Sequence, residues 1–159
     1  MADCFFKKPT SKENTMSFST PIYENTQQRE ILYQLEKMDS VFHLSGSRLS
    51  KTNTELSDWD FFCLEEQPEQ ILYGKLHELG FEQEYNECSY KDYSIKAVWR
   101  HSCLIDIQIV KQEYLKSKIL ANKFLLQTSV GKQFLGRDKT INKKVWTEVI
   151  YFFQHSLDK

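Results

Sequence analysis

The stretch Leu104–Val110, LIDIQIV, constrains the chain most. Its isoleucines fall at 105, 107 and 109 and its polar residues at 106 and 108, and a period of two in β-branched residues is the pattern of a strand with one apolar face. Asp106 therefore emerges opposite the isoleucines, beside Gln108. The same alternation in SDWDFFCL, residues 57–64, puts Asp58 and Asp60 on one face and Trp59 and Phe61 on the other. Three acids thus stand on two strands that can lie side by side.

The remaining elements follow from spacing. Ile31, Leu32, Leu35 and Met38 recur every three to four residues and predict a helix over Glu24–Met38. VFHLSG reads as a short strand stopped by Gly46, and GSRLSKTN as a turn entering a short helix. Pro68 stands where a helix can begin, Ile71, Leu72, Leu76 and Leu79 give that helix an apolar face, and Gly80 ends it. FEQEYNE, YSIKAVWR and SCLIDIQIV are three strand-like runs with short polar links. Helix follows from about Lys111 to His155, with breaks near Gly131 and around GRDKTINKK. The expected class is α+β: a two-layer domain with a mixed sheet of about five strands, helices on one face and a helical C-terminal extension. Residues 1–21 read as a flexible polar lead-in, and 22–159 as one domain with a core over about 30–111 and C-terminal helices over about 112–157.

Charge and cysteine narrow the setting. A net charge of -1 supplies no global attraction for nucleic acid or an anionic membrane, so an electrostatic partner must be met by a local patch. Cys4, Cys63, Cys88 and Cys103 form no C-x-x-C pair, and Cys63 and Cys103 sit in apolar runs, which reads as free thiols in a reducing compartment. No run approaches the roughly 18 apolar residues of a membrane span, and the N-terminus lacks the apolar segment of a signal peptide, so the expected location is cytoplasmic.

Carboxylates sharing one face repel each other and persist only if solvated, protonated or neutralised by a cation. Oxygen-only ligands suit Mg²⁺, which keeps several waters and commonly completes its shell with substrate phosphates. Gly46 lets backbone approach a ligand closely, and the N–H groups of the turn together with the Ser47 hydroxyl can bond a phosphate. A Gly-Ser turn is also an ordinary cap, and D-x-D is also an ordinary solvated strand face. It is the three features together, in this order, that point to a nucleotide site.

With these residues in view, the sequence resembles the nucleotidyltransferase superfamily typified by DNA polymerase beta. The resemblance rests on Ser45-Gly46-Ser47, a gap of ten residues, and Asp58-Trp59-Asp60-Phe61, with Asp106 as the third carboxylate on a later strand. GSRLSKTNTELSDWDF is especially similar to the minimal stand-alone members. The likeness spans about Glu30 to Lys111 and departs from those proteins at Lys51, where a small residue is common, and at Trp59, where an aliphatic one is. It implies the nucleotidyltransferase fold and transfer of a nucleoside monophosphate from an NTP such as ATP to a hydroxyl of a protein, RNA or small molecule, with pyrophosphate released. In that scheme Asp58, Asp60 and Asp106 are catalytic metal ligands for two Mg²⁺, with Mn²⁺ as a substitute. Gly46 and Ser47 cradle the phosphates, and Arg48 and Lys51 are further phosphate contacts.

A second basic group, Lys132, Arg137, Lys139, Lys143 and Lys144, reads as a late linker that is either solvated or laid over phosphates. The last helix, with Trp146, Ile150, Phe152 and Phe153, is apolar on more than one side, which suits core packing, a homodimer or a helical protein partner. An alternative reading is therefore a binding module of the same fold, an antitoxin-like partner of a helical protein with little or no catalysis.

Overall fold

The computed structural model describes residues 22–88 and 94–157. The lead-in with Cys4, the start of the expected strand at Tyr93 and the side chain of Cys88 lie outside what is described. Helix α1 (Ile22–Lys37) leads to strand β1 (His43–Ser45), the short helix α2 (Gly46–Ser50), β2 (Trp59–Leu64), helix α3 (Glu69–Glu78) and strands β3 (Glu82–Cys88), β4 (Ile95–His101) and β5 (Ile105–Val110). Helices α4 (Gln112–Gln127), α5 (Ser129–Lys132) and α6 (Lys139–Leu157) follow. The fold is mixed α+β, and the chain divides after Val110 into two compact units.

In the first unit the five strands form one mixed sheet in the order β1-β2-β5-β4-β3. β2 and β5 run parallel, and every other pair is antiparallel. A parallel pair needs a crossover, which α3, β3 and β4 supply between β2 and β5. Register sets Phe61 opposite Ile107 and Cys63 opposite Ile109, so the apolar positions of both strands share a face. That face is dry: Phe61, Cys63, Ile105, Ile107 and Ile109 are buried with Ala97 and Trp99 of β4, and Ile31, Leu35, Leu72 and Leu76 of α1 and α3 close over them. Ile71, expected on the apolar face of α3, is instead 56% exposed. Leu72 and Leu76 are one turn apart and define the buried stripe, whereas Ile71 is rotated about 100° off it.

Two turns shape the chain beside the sheet. α3 closes on Gly80 at φ +98, where a side chain would meet Nε2 of His101 at 2.9 Å. His101 accepts from the Cys103 N–H at Nδ1 (3.1 Å), so its other nitrogen carries the proton and donates to the Leu79 carbonyl (3.1 Å). The second turn corrects an expectation. The strand carrying the paired aspartates begins at Trp59, not Ser57, and Asp58 precedes the ladder. Thr54 and Ser57 hold each other, Thr54 N–H donating to Ser57 Oγ at 2.8 Å and Ser57 N–H to the Thr54 carbonyl at 3.1 Å, and this local turn keeps the backbone out of sheet pairing.

The second unit is helical. Trp146 donates to Asn122 Oδ1 at 2.8 Å and Phe153 meets Phe124 edge to face, which joins α6 to α4. The expected basic linker is not one: Lys132 lies in α5, and Lys139, Lys143 and Lys144 lie on α6, leaving Arg137 alone in the connection. The helix resumes early because Asp138 caps it, accepting from the N–H groups of Thr140 (2.9 Å) and Ile141 (3.2 Å). Among the described residues, no helix is long and apolar enough to cross a membrane.

Candidate metal centre

The face of the sheet opposite the isoleucines carries a row of polar residues in cross-strand register. Ser45 lies opposite Asp60, Asp60 opposite Asp106, Asp106 opposite Arg100, and Arg100 opposite Glu82. Asp58 enters from the turn before β2. One carboxylate oxygen from each of Asp58, Asp60 and Asp106 lies within 4.8 Å of the other two. The parallel pairing of β2 and β5 brings the three together, because it sets Asp60 and Asp106 side by side.

Such proximity is costly for anions. Burial, followed by the charge of Asp60, pushes Asp106 up to about 6, with smaller pushes from Asp58 and Glu84 and an opposing pull from Arg100. Arg100 reaches across β4 to place Nε 3.6 Å from Asp106 and Nη1 3.1 Å from Glu84. Two acids thus divide one guanidinium, so Asp106 has only part of a counter-charge. An oxygen-only trio at this spacing has the donor chemistry for a hard divalent cation, and a cation would relieve the repulsion that raises Asp106.

Gly46 is built into this wall. It adopts φ +66, and a Cβ there would collide with Oδ2 of Asp60. Only glycine combines that backbone conformation with so close an approach to the carboxylate. Ser47 follows in α2, and its carbonyl accepts from the N–H groups of Lys51 and Thr52. First-turn N–H groups of a helix have no intrahelical partner, so the start of α2 presents donors next to Asp60.

The two cations beside the turn have different situations. Arg48 donates from Nη2 to the Ser57 carbonyl at 2.9 Å and lies 4.3 Å over the Trp59 ring. Burial lowers its pKa from the usual value, and Asp58 and Asp60 pull it back up. The guanidinium is therefore built into the support of the Asp58 turn, a role its position in the sequence does not announce. Lys51 is exposed and caps α2 at φ 62. His43, on β1, stacks on Phe62 with ring centroids 5.0 Å apart.

Arg100, Glu84 and Gln28 were not singled out by the sequence. For Arg100 a signal existed: folding RHSCLID back on itself as a hairpin pairs Arg100 with Asp106, as observed. Gln28 carried none, being a polar residue on a surface helix. The two described cysteines are free, and burial, assisted by Glu66, pushes the Cys63 thiol up to about 12, so it is inert packing. Compared with protein-family models, with curated proteins and with solved structures, the chain has no match in any of the three.

Proposed function

We propose that the first unit has the nucleotidyltransferase fold and that the protein transfers a nucleoside monophosphate from an NTP to a hydroxyl acceptor. The observation that carries this reading is the convergence of Asp58, Asp60 and Asp106 beside a glycine turn that a side chain would block. The three carboxylates would hold Mg²⁺, which when bound supplies charge neutralisation for the triphosphate and acidifies the attacking hydroxyl. The turn at Gly46 and Ser47 offers N–H and hydroxyl donors to phosphate oxygens, and Lys51 stands at its end as an exposed cation. In the reaction a bond forms between the acceptor oxygen and the α-phosphorus while the bond from that phosphorus to the β-phosphate oxygen breaks. Pyrophosphate leaves with that electron pair, and the hydroxyl proton passes to Asp106 or to water.

The test is label transfer from each α-labelled NTP with Mg²⁺ or Mn²⁺ in host lysate, with Asp58→Ala/Asp60→Ala as control. Label on a protein, RNA or small molecule that vanishes in the double variant supports the reading and gives the acceptor class. No transfer, together with no metal-dependent NTP binding by calorimetry, overturns it and leaves a protein that acts by binding alone.

A further inference from the structure

Gln28 joins two segments that each lead into a strand of the carboxylate cluster. Its Oε1 accepts from the Trp59 indole N–H at 3.1 Å, and its Nε2 donates to the Cys103 carbonyl at 2.8 Å. An indole N–H can only donate and a carbonyl can only accept, so the amide orientation is dictated by its partners. Trp59 stands between Asp58 and Asp60 in sequence, and Cys103 belongs to the turn that delivers β5 and Asp106. The Trp59 backbone N–H makes a second tie between the same segments, to the Leu104 carbonyl at 2.8 Å. On its other side the indole is covered by Arg48, whose Nη2 holds the Ser57 carbonyl. A continuous chain of contacts thus runs from Cys103 through Gln28, Trp59 and Arg48 to Ser57, behind the acids and touching none of their oxygens through Gln28.

We infer that Gln28 is a positioning residue that fixes the spacing between the Asp58–Asp60 pair and Asp106, and so sets the affinity of the site for a divalent cation. The inference rests on the metal-site reading above. Partners behind metal ligands typically change affinity ten- to a hundredfold when removed, because the ligands lose their preset geometry. The indole is the handle: an aliphatic residue at position 59 could fill space but could not take the hydrogen bond that anchors this turn to α1.

The experiment uses the full chain and Mn²⁺ alone, with affinity read by electron paramagnetic resonance and stability by urea midpoint. The expected result is Mn²⁺ binding by the wild type, loss in Asp60→Asn, and about tenfold weaker binding in Gln28→Leu when the protein is fully folded. Trp59→Phe keeps an aromatic six-membered ring for Arg48 to cover and removes the indole donor together with the pyrrole part of the ring system, so at matched stability it should weaken Mn²⁺ to a similar degree. The double variant should be no weaker than Gln28→Leu alone, because that single already removes both the bond to Trp59 and the bond to Cys103. Unchanged Mn²⁺ affinity in folded Gln28→Leu, with binding intact in the wild type, overturns the inference and leaves the metal site standing. Absence of Mn²⁺ binding in the wild type overturns both. If Gln28→Leu does not fold, Trp59→Phe decides by the same comparison.

Discussion

The two faces of β2 and β5 are made by alternate residues of the same strands and, at the end that carries the acids, obey opposite physics. On one, Phe61, Ile105, Ile107 and Ile109 are fully buried among apolar side chains. On the other, one residue away each time, Asp60 and Asp106 stand side by side, and Asp106 shares the Arg100 guanidinium with Glu84. The dry face gains from everything packed against it, while the charged face costs stability and is held in place by the dry one. Rigidity for the acids is therefore supplied from the back of the sheet and from the turn supports at Gly46, Arg48 and Gln28. If the two faces are separable in this way, damage to the dry face should lower stability without altering metal affinity, and relief of the charged face should do the reverse.

The largest effect is expected at Ile107, wholly buried on the dry face. Ile107→Ala removes methyl groups and leaves a cavity beneath α1 and α3, at a cost of about 3–4 kcal/mol. Urea denaturation should show that loss, while Mn²⁺ affinity in the fraction still folded stays within about twofold of the wild type. A parallel collapse of Mn²⁺ affinity would break the comparison and mean that core packing tunes the acid spacing directly.

Asp106→Asn attacks the other face. The folded-state value of Asp106, about 6, lies above the 3.8 of a free carboxylate, so in the metal-free protein its ionisation opposes folding. That penalty is present in full above about pH 6 and is relieved as the pH falls toward 4, where both folded and unfolded forms hold the proton. Asparagine removes the charge at every pH. Because solvent screens a half-buried group and reduces the full linkage value, the variant should be more stable than the wild type by about 1–2 kcal/mol at pH 7, with the gap closing near pH 4, and it should lose Mn²⁺ binding. The wild type itself should bind Mn²⁺ more weakly as the pH drops below 6, because the proton competes with the metal. A variant less stable than the wild type at pH 7 would show that the Arg100 ion pair outweighs the repulsion.

How much of this was legible in the sequence follows from the range of the interactions involved. Period-two alternation announced β5 and the face of Asp106, since Ile105, Ile107 and Ile109 need no partner to declare themselves. The turn at Gly46 and the end of α3 at Gly80 were legible for the same reason, because local backbone geometry selects glycine. Arg100 was readable from the RHSCLID hairpin that pairs it with Asp106, whereas Glu84 and Gln28 were hidden because their roles arise from strand register and helix placement between more distant residues. Gln28 and Cys103 are 75 positions apart. The basic group from Lys132 to Lys144 misled in the opposite direction: charge density suggested a linker, whereas the Asp138 cap, a single short-range bond set, decided for helix.

The smallest effect tests where the two faces meet the phosphate reading. Lys51 holds φ 62, a conformation that costs most residues about 1 kcal/mol and costs glycine nothing sterically, and it does so to carry the chain from α2 toward Asp58. Lys51→Gly relieves that strain but gains freedom in the unfolded chain, so a net stabilisation of about 0.5 kcal/mol is expected in urea denaturation. Lys51→Ala retains the strain and removes the charge, so its stability should match the wild type. If the ammonium contacts phosphate, both variants should weaken NTP binding equally by calorimetry while Mn²⁺ affinity stays unchanged. If only Lys51→Gly weakens NTP binding, the turn contributes through its shape, and the lysine is there for solvation alone.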